Sequence, residues 1–298
     1  MHLLSYALAL IAAIINGAAQ VMQRKASRDE PDRLEMNPRL FVELARHPIW
    51  LLGIAGVVVG SVFQIAALNF GALASVQTIV ILELPFALLG ATWFLGSRLR
   101  KRDWASIGLM TAGTIGLVAF LDPRAGSAAD VSTLAWIVAL ATTLAPILAL
   151  VFLALRSDGA RRAALLGIAT GISFALFAAL VKGVELEFQS EGVAAVFSSW
   201  EIYMAALTAA GSMWLLQNAL HAGKLAAAQP GMTLLDPAVS IVWGTLVFHE
   251  QVRGGLFVLA AALSFVAIVA GAIALARSPM LEESSGDRGD ARHEVRET

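Results

Sequence analysis

Of 298 residues, 58% are hydrophobic and only 14% carry a charged side chain, with a mean hydropathy of +0.75. Soluble domains average about 25% charged residues, and apolar runs this long cannot be hidden in a soluble core, so the composition excludes a soluble globular protein. The net charge of -1 is uninformative beside the placement of charge, and the absence of cysteine removes disulfides, cysteine-ligated metal and thiol chemistry.

A helix crossing about 30 Å of hydrocarbon needs roughly 20 apolar residues. Nine segments meet that need: 2–22, 49–70, 73–95, 103–121, 132–155, 163–183, 200–220, 224–248 and 254–276. Their continuous apolarity excludes barrel strands. The first segment carries Asn16, Gln20 and Gln23 on one face, and Arg24, Lys25 and Arg28 follow it. Basic residues after the apolar run are the reverse of a secretory signal and predict an uncleaved first span. The stretch 33–48, with five charges, reads as an interfacial helix.

The third segment holds Glu83 and Pro85, and the fifth Pro146, a packing kink. Lys182, at the end of the sixth, reads as a snorkelling side chain. The seventh contains Trp214, Gln217 and Asn218. In the eighth, Gln229, Thr233, Asp236 and Ser240 are spaced 4, 3 and 4 and so share a face. His249 and Glu250 close that segment and read as a solvated span end, with guarding an entrance as the alternative. Trp214 and Trp243 lie deeper than the other indoles and read as packing residues.

Lysine and arginine set the orientation. With the N-terminus outside, 18 of them fall in inner loops or the C-terminal tail and only three (Arg124, Lys182 and Arg253) outside. The expectation is a multi-pass protein of the cell (inner or plasma) membrane, N-out and C-in. A first transmembrane half (1–122), a linking fifth helix with its loops (123–162), a second half (163–276) and a disordered cytoplasmic tail (277–298) make up the chain.

The stretch "ALNFGALASVQ", Ala67 to Gln77, returns as "ALHAGKLAAAQ", Ala219 to Gln229, with six of eleven positions identical at an offset of 152. Pro85 matches Pro237 at the same offset, and Glu83 matches Asp236 at 153, so a one-residue slip lies within the third and eighth spans. Five spans separate each helix from its copy, and an odd number turns the copy upside down. The fold class expected is therefore all-α: a polytopic membrane helical bundle of about nine transmembrane helices with an inverted-repeat transporter fold.

At these residues the chain resembles the drug/metabolite transporter superfamily, of EamA-like type. Halves of that family show a helix, a tight turn and a helix ending in a "G-E-R-L"-like signature before a Gly-rich last helix. The corresponding residues are Leu95-Gly96-Ser97-Arg98-Leu99, followed by Gly108, Gly113 and Gly116, and then Phe248-His249-Glu250. Ser97 stands where the first half usually has an acid. The nine-span count, "QVMQRKA", "QNAL" and "FHE" resemble the NIPA-like branch, which implies magnesium transport.

Polar groups inside the spans carry the functional expectation. A charge at the bilayer centre costs about 2.5–3.5 kcal/mol on insertion scales, so Glu83 and Asp236 each need a partner, water or a proton. With Gln229, Thr233, Asn16 and Gln20 they are the candidate substrate or coupling-ion residues. Gln64, Gln77, Gln217, Asn218 and Ser240 are secondary pathway candidates, and Pro85 and Pro237 candidate hinges. Helix-to-helix bonding is the alternative for each amide. Gly56/Gly60 and Gly167/Gly171 predict close internal helix packing, with a homodimer interface as the alternative.

No phosphate-binding loop, zinc-binding helix or nucleophile elbow is present, and the basic residues follow topology, which argues against an enzyme and against nucleic-acid binding. No cofactor and no resident metal site is expected. The partners are the lipid bilayer and a small-molecule or ion substrate. The expected function is export of a small metabolite or drug by alternating access, coupled to protons or a cation, with magnesium transport as the alternative. A non-transporting scaffold or lipid-handling protein is the third reading, which acids facing lipid would favour.

Overall fold

The computed structural model describes residues 2–28, 46–95, 99–124, 131–222 and 225–276. Most of 33–48, the tail from 277, Ser97 and Gly223 lie outside the described residues.

Among the described residues the chain is a bundle of helices: α1 (His2–Arg28), α2 (Pro48–Phe70), α3 (Leu73–Val80), α4 (Glu83–Leu95), α5 (Lys101–Leu121), α6 (Thr133–Leu155), α7 (Gly159–Glu191), α8 (Val193–Ser198), α9 (Trp200–Ala222), α10 (Leu225–Leu246) and α11 (Leu256–Ala276). The only β pairing among them is an isolated bridge between Arg124 and Gln251. Helices satisfy their own backbone groups, as a segment surrounded by hydrocarbon must.

Among the described residues, seven segments are long and apolar enough to cross a membrane, α3 and α4 counting as one. Helices α9 and α10 have 23 and 22 residues but carry amides, hydroxyls and Asp236, and fall outside that set. The perimeter is aliphatic, with Leu134, Leu148, Leu263 and Val266 all at least 60% exposed. In water so much open apolar surface would be a liability, whereas lipid accepts it. The protein is a polytopic helical membrane bundle.

Small residues let the helices approach closely. Gly56 and Gly60 of α2 face Ala19 and Asn16 of α1, and Gly167 and Gly171 of α7 face the α10 backbone at Ala228 and Gly231. Both glycine pairs thus serve packing within the chain. Gly113 of α5 and Gly271 of α11 join those two helices in the same way.

The helix ends define two faces. At one, the Gly71 end, Ser5 donates to Ala67 O at 2.8 Å, and the ends of α2, α7 and α10 meet the starts of α1, α3, α6 and α9. Trp136, Trp200, Trp243 and Phe248 form an aromatic cluster there, with centroids 5.1–6.3 Å apart. Leu68, Leu73, Val76 and Leu180 fill the space beside them. Since α3 starts where α10 ends, these two helices run in opposite directions.

The helix boundaries refine two of the expected spans. The third span is two helices, interrupted at Ile81–Leu82. The sixth extends to 33 residues, its far turns carrying Glu185, Glu187 and Gln189 past the apolar stretch.

Candidate polar site at the middle of the bundle

The interruption between α3 and α4 follows from Pro85. Proline has no N–H to offer the carbonyl four residues earlier, here Ile81 O, which accepts Leu84 N at 3.2 Å instead. Leu82 N donates to Ile79 O at 3.0 Å, another tightened turn. Glu83 is thereby the first residue of α4, at a backbone break in mid-bundle.

Helix α1 closes on this break. Gly17 lies against it so tightly that a Cβ there would stand 2.7 Å from Glu83 O and 2.8 Å from Ala87 N. That approach brings Asn16 and Gln20 within hydrogen-bonding reach of the Glu83 carboxyl. The Asn16 Oδ1 has no hydrogen-bond partner and packs beside Gly60.

Asp236 faces the same region from α10, near enough for the two carboxylates to repel each other. Ser240 donates to Asp236 Oδ1 at 3.2 Å. Thr233 and Gln229 continue the face toward the start of α10. Glu83, Asp236, Thr233, Gln229 and Asn16 are half-buried and Gln20 is exposed, whereas Ser75, Gln77 and Thr78, toward the Gly71 end, are at most 2% exposed. Among the described residues the polar side chains are thus tightly buried toward the Gly71 end and less buried away from it.

The remaining candidates lie apart. Gln64 donates to Gln77 Oε1 at 3.2 Å, joining α2 to α3. Asn218 donates to Trp214 O in its own helix at 2.8 Å. Gln217 lies in α9, its side chain outside the described residues. Pro237 follows Asp236 in α10, which remains continuous and contains Pro230 as well. Among the described residues no three His, Asp or Glu side chains cluster as metal ligands.

Three single-residue expectations are corrected. Lys182 does not snorkel: it is 6% exposed, donates to Leu68 O at 2.7 Å and pairs with Glu185 at 2.6 Å. Glu250 is not solvated: it is 5% exposed and accepts from Leu73 N and, at 3.2 Å, from Ala74 N. Burial pushes its carboxyl above the ordinary range, and the two N–H groups and Lys182 pull it part of the way back. Trp214 is 57% exposed on the perimeter, whereas Trp243 is packed as expected, its Nε1 donating to Thr143 Oγ1 at 3.1 Å.

Along its length the chain is similar to an uncharacterized protein of Corynebacterium glutamicum, with 26% identity over 290 residues, covering 95% of this chain and 98% of that relative. No protein-family profile matches the sequence. No solved structure matches it.

Proposed function

We propose that the protein is a secondary transporter of inverted-repeat type. In this reading nine spans cross the membrane with the N-terminus outside, and the first half (through α5) and the second half (from α7) exchange conformations around a central site. One observation carries it: two carboxylates, one from each half, face a shared polar region beside a mid-bundle helix break and amides from α1. Acids in such a place are expensive in lipid and are repaid by binding or proton transfer. The opposite directions of α3 and α10 support the inverted repeat, and the basic-residue asymmetry supports the orientation.

The cargo proposed is a small organic metabolite or drug, exported in exchange for protons or a cation taken up at Glu83 and Asp236. Only one net charge is accommodated easily when two carboxylates repel, so release of a proton on binding a cationic or polar solute is the natural coupling. The drug/metabolite transporter resemblance points the same way.

A magnesium-carrying alternative is favoured by one feature. Rotating the Asn16 amide would turn its unpartnered Oδ1 toward Glu83, adding a neutral oxygen to two carboxylates, the ligand type that hard cations take. Proteoliposomes given either magnesium or a metabolite panel, with and without an imposed pH gradient, separate the two. Absence of any movement across the panel would refute the transport assignment, and wild-type transport by both Glu83→Gln and Asp236→Asn of a solute that does move would refute the site.

A further inference from the structure

Helix α3 begins without a cap of its own. Ala72 precedes it and supplies no side-chain acceptor, so its first N–H groups must find partners elsewhere. They find Glu250, from the loop after α10, whose two oxygens accept from Leu73 N and Ala74 N. On the other side of the same turn, the last carbonyls of α2 need donors, and Lys182 of α7 donates to Leu68 O at 2.7 Å. Each charge also suits the helix dipole it meets, the anion at an N-terminus and the cation at a C-terminus. Gln189 of α7 adds a third hold, donating to Asn69 Oδ1 at 2.7 Å.

The loop that presents Glu250 is itself fixed. Arg124 and Gln251 exchange backbone hydrogen bonds at 2.9 and 3.1 Å, and Arg253 pairs with Asp122 at 3.0 Å. His249 takes a left-handed backbone (φ 51°), turning the next side chain back toward the bundle. Gly244 leaves the space the Glu250 carboxylate occupies, since a Cβ there would overlap Oε2.

We infer that Glu250 and Lys182 are the latch of a gate at the Gly71 end, holding the α2–α3 turn closed and releasing it when the central site opens to that side. The latch rests on the alternating-access reading given above. Capping groups supplied by another part of the chain are well suited to this use. The closed state satisfies them within the protein, and the open state passes them to water, so the two states differ by a few hydrogen bonds and not by a buried unpaired charge. Glu185, one turn on in the same helix, pairs with Lys182 at 2.6 Å, a contact that release of the turn does not require to break.

The absence of cysteine allows a direct test with single cysteines and a charged, impermeant thiol reagent. Ser75→Cys lies just inside the gate at a position 1% exposed, and Thr233→Cys reports on the opposite side of the acids, where it is half-buried. In the otherwise unaltered chain, Ser75→Cys should be protected and Thr233→Cys reactive. Adding Glu250→Ala leaves two N–H groups unpartnered in the closed state only. Labelling of Ser75→Cys should then rise about 5- to 150-fold and that of Thr233→Cys should fall. Lys182→Met should act in the same direction.

Unchanged protection of Ser75→Cys in both variants would overturn the latch. So would reactivity at both cysteines together, which marks a loosened bundle and makes the contacts a structural brace. Labelling needs no cargo, so a reciprocal shift in a protein that moves no tested solute would keep the latch and discard the transport assignment. Transport by Glu250→Ala with fixed accessibility would do the opposite.

Discussion

Gly17→Ala tests the geometry of the central site through one added methyl. The new Cβ would meet Glu83 O at 2.7 Å, Ala87 N at 2.8 Å and Phe86 Cβ at 2.9 Å, the first two being backbone atoms that no rotamer change can move. Reaching the 3.4 Å of ordinary contact requires α1 and α4 to separate by about 0.7 Å. Overpacking of this kind costs about 1–3 kcal/mol, and the upper part of that range applies where backbone meets backbone. Alanine returns about 1 kcal/mol through helix propensity, leaving a net loss of about 2 kcal/mol. Gly108→Ala is the matched control: nothing lies within 4 Å of its Cβ position, so only the propensity gain remains. The two variants should therefore differ by about 3 kcal/mol, read as separated melting curves in detergent. The same 0.7 Å stretches hydrogen bonds from Asn16 and Gln20 to Glu83 beyond useful length, so transport should fall in Gly17→Ala and not in Gly108→Ala. Equal melting and equal transport in the two variants would refute the close approach of α1 to the helix break.

Glu83→Gln and Asp236→Asn should each abolish pH-gradient-driven transport in proteoliposomes while leaving the protein monodisperse, because they keep shape and remove a titratable charge. Trp243→Phe removes the indole donor to Thr143 but keeps the aromatic packing, and Thr143 retains its own bond to Ala139 O. The expected loss is about 1 kcal/mol or less, seen as a small drop in melting temperature without loss of transport. For Glu250, burial raises the carboxyl above its ordinary value in the closed state, and opening returns it to water. Closing then takes up protons between the ordinary and the raised value, so closure is favoured at lower pH and weakened as pH rises through the raised value. The groups facing it are Lys182 of α7 and the Leu73 and Ala74 amides of α3. Labelling of Ser75→Cys should therefore increase with pH, after correction for thiol ionisation, and Glu250→Ala should remove that dependence.

Hydropathy alone made the helical membrane bundle legible, because lipid imposes one rule on every span and the rule is written in composition. The polar stripes were legible for a related reason: Asn16 and Gln20 at i and i+4, or Thr233 and Asp236 at i and i+3, must share a helix face whatever the bundle does with it. What periodicity does not encode is which faces meet. Lys182 and Glu250 sit at span ends, where charge is ordinarily solvated, and only the bundle reveals that each caps a helix distant in sequence. The missing signal was a negative one, since Ala72 opens α3 without a capping side chain, leaving N–H groups that something else had to satisfy. Trp214 was misplaced for the opposite reason. Depth along a span suggested packing, but rotation about the helix axis decides between core and lipid, and α9 turns that residue outward.

The two copies of the repeated segment differ in a way that bears on mechanism. Pro85 and Pro237 each withhold an N–H from a carbonyl four residues earlier, Ile81 in one copy and Thr233 in the other. The first copy answers with a break and the second remains one helix. The same local defect thus has two outcomes, and the surroundings select between them. Around Ile81 the Gly71 end is sealed, with Leu73, Val76 and Phe248 buried and the turn held by Glu250 and Lys182. Around Thr233 most side chains are half-buried, and α7 lays Gly167 and Gly171 closely along α10 from Ala228 to Leu235, against which the helix stays continuous. On the inverted-repeat reading, the sealed side is the side whose helix is broken. A break that accompanies closure also places Glu83 at a helix N-terminus, where a carboxylate is favoured, while Asp236 remains in a helix interior, where it is not. Exchanging the two conformations would exchange those environments, shifting the preferred site of negative charge from one acid to the other as access changes sides. On that reading, two acids have a use that one could not fill.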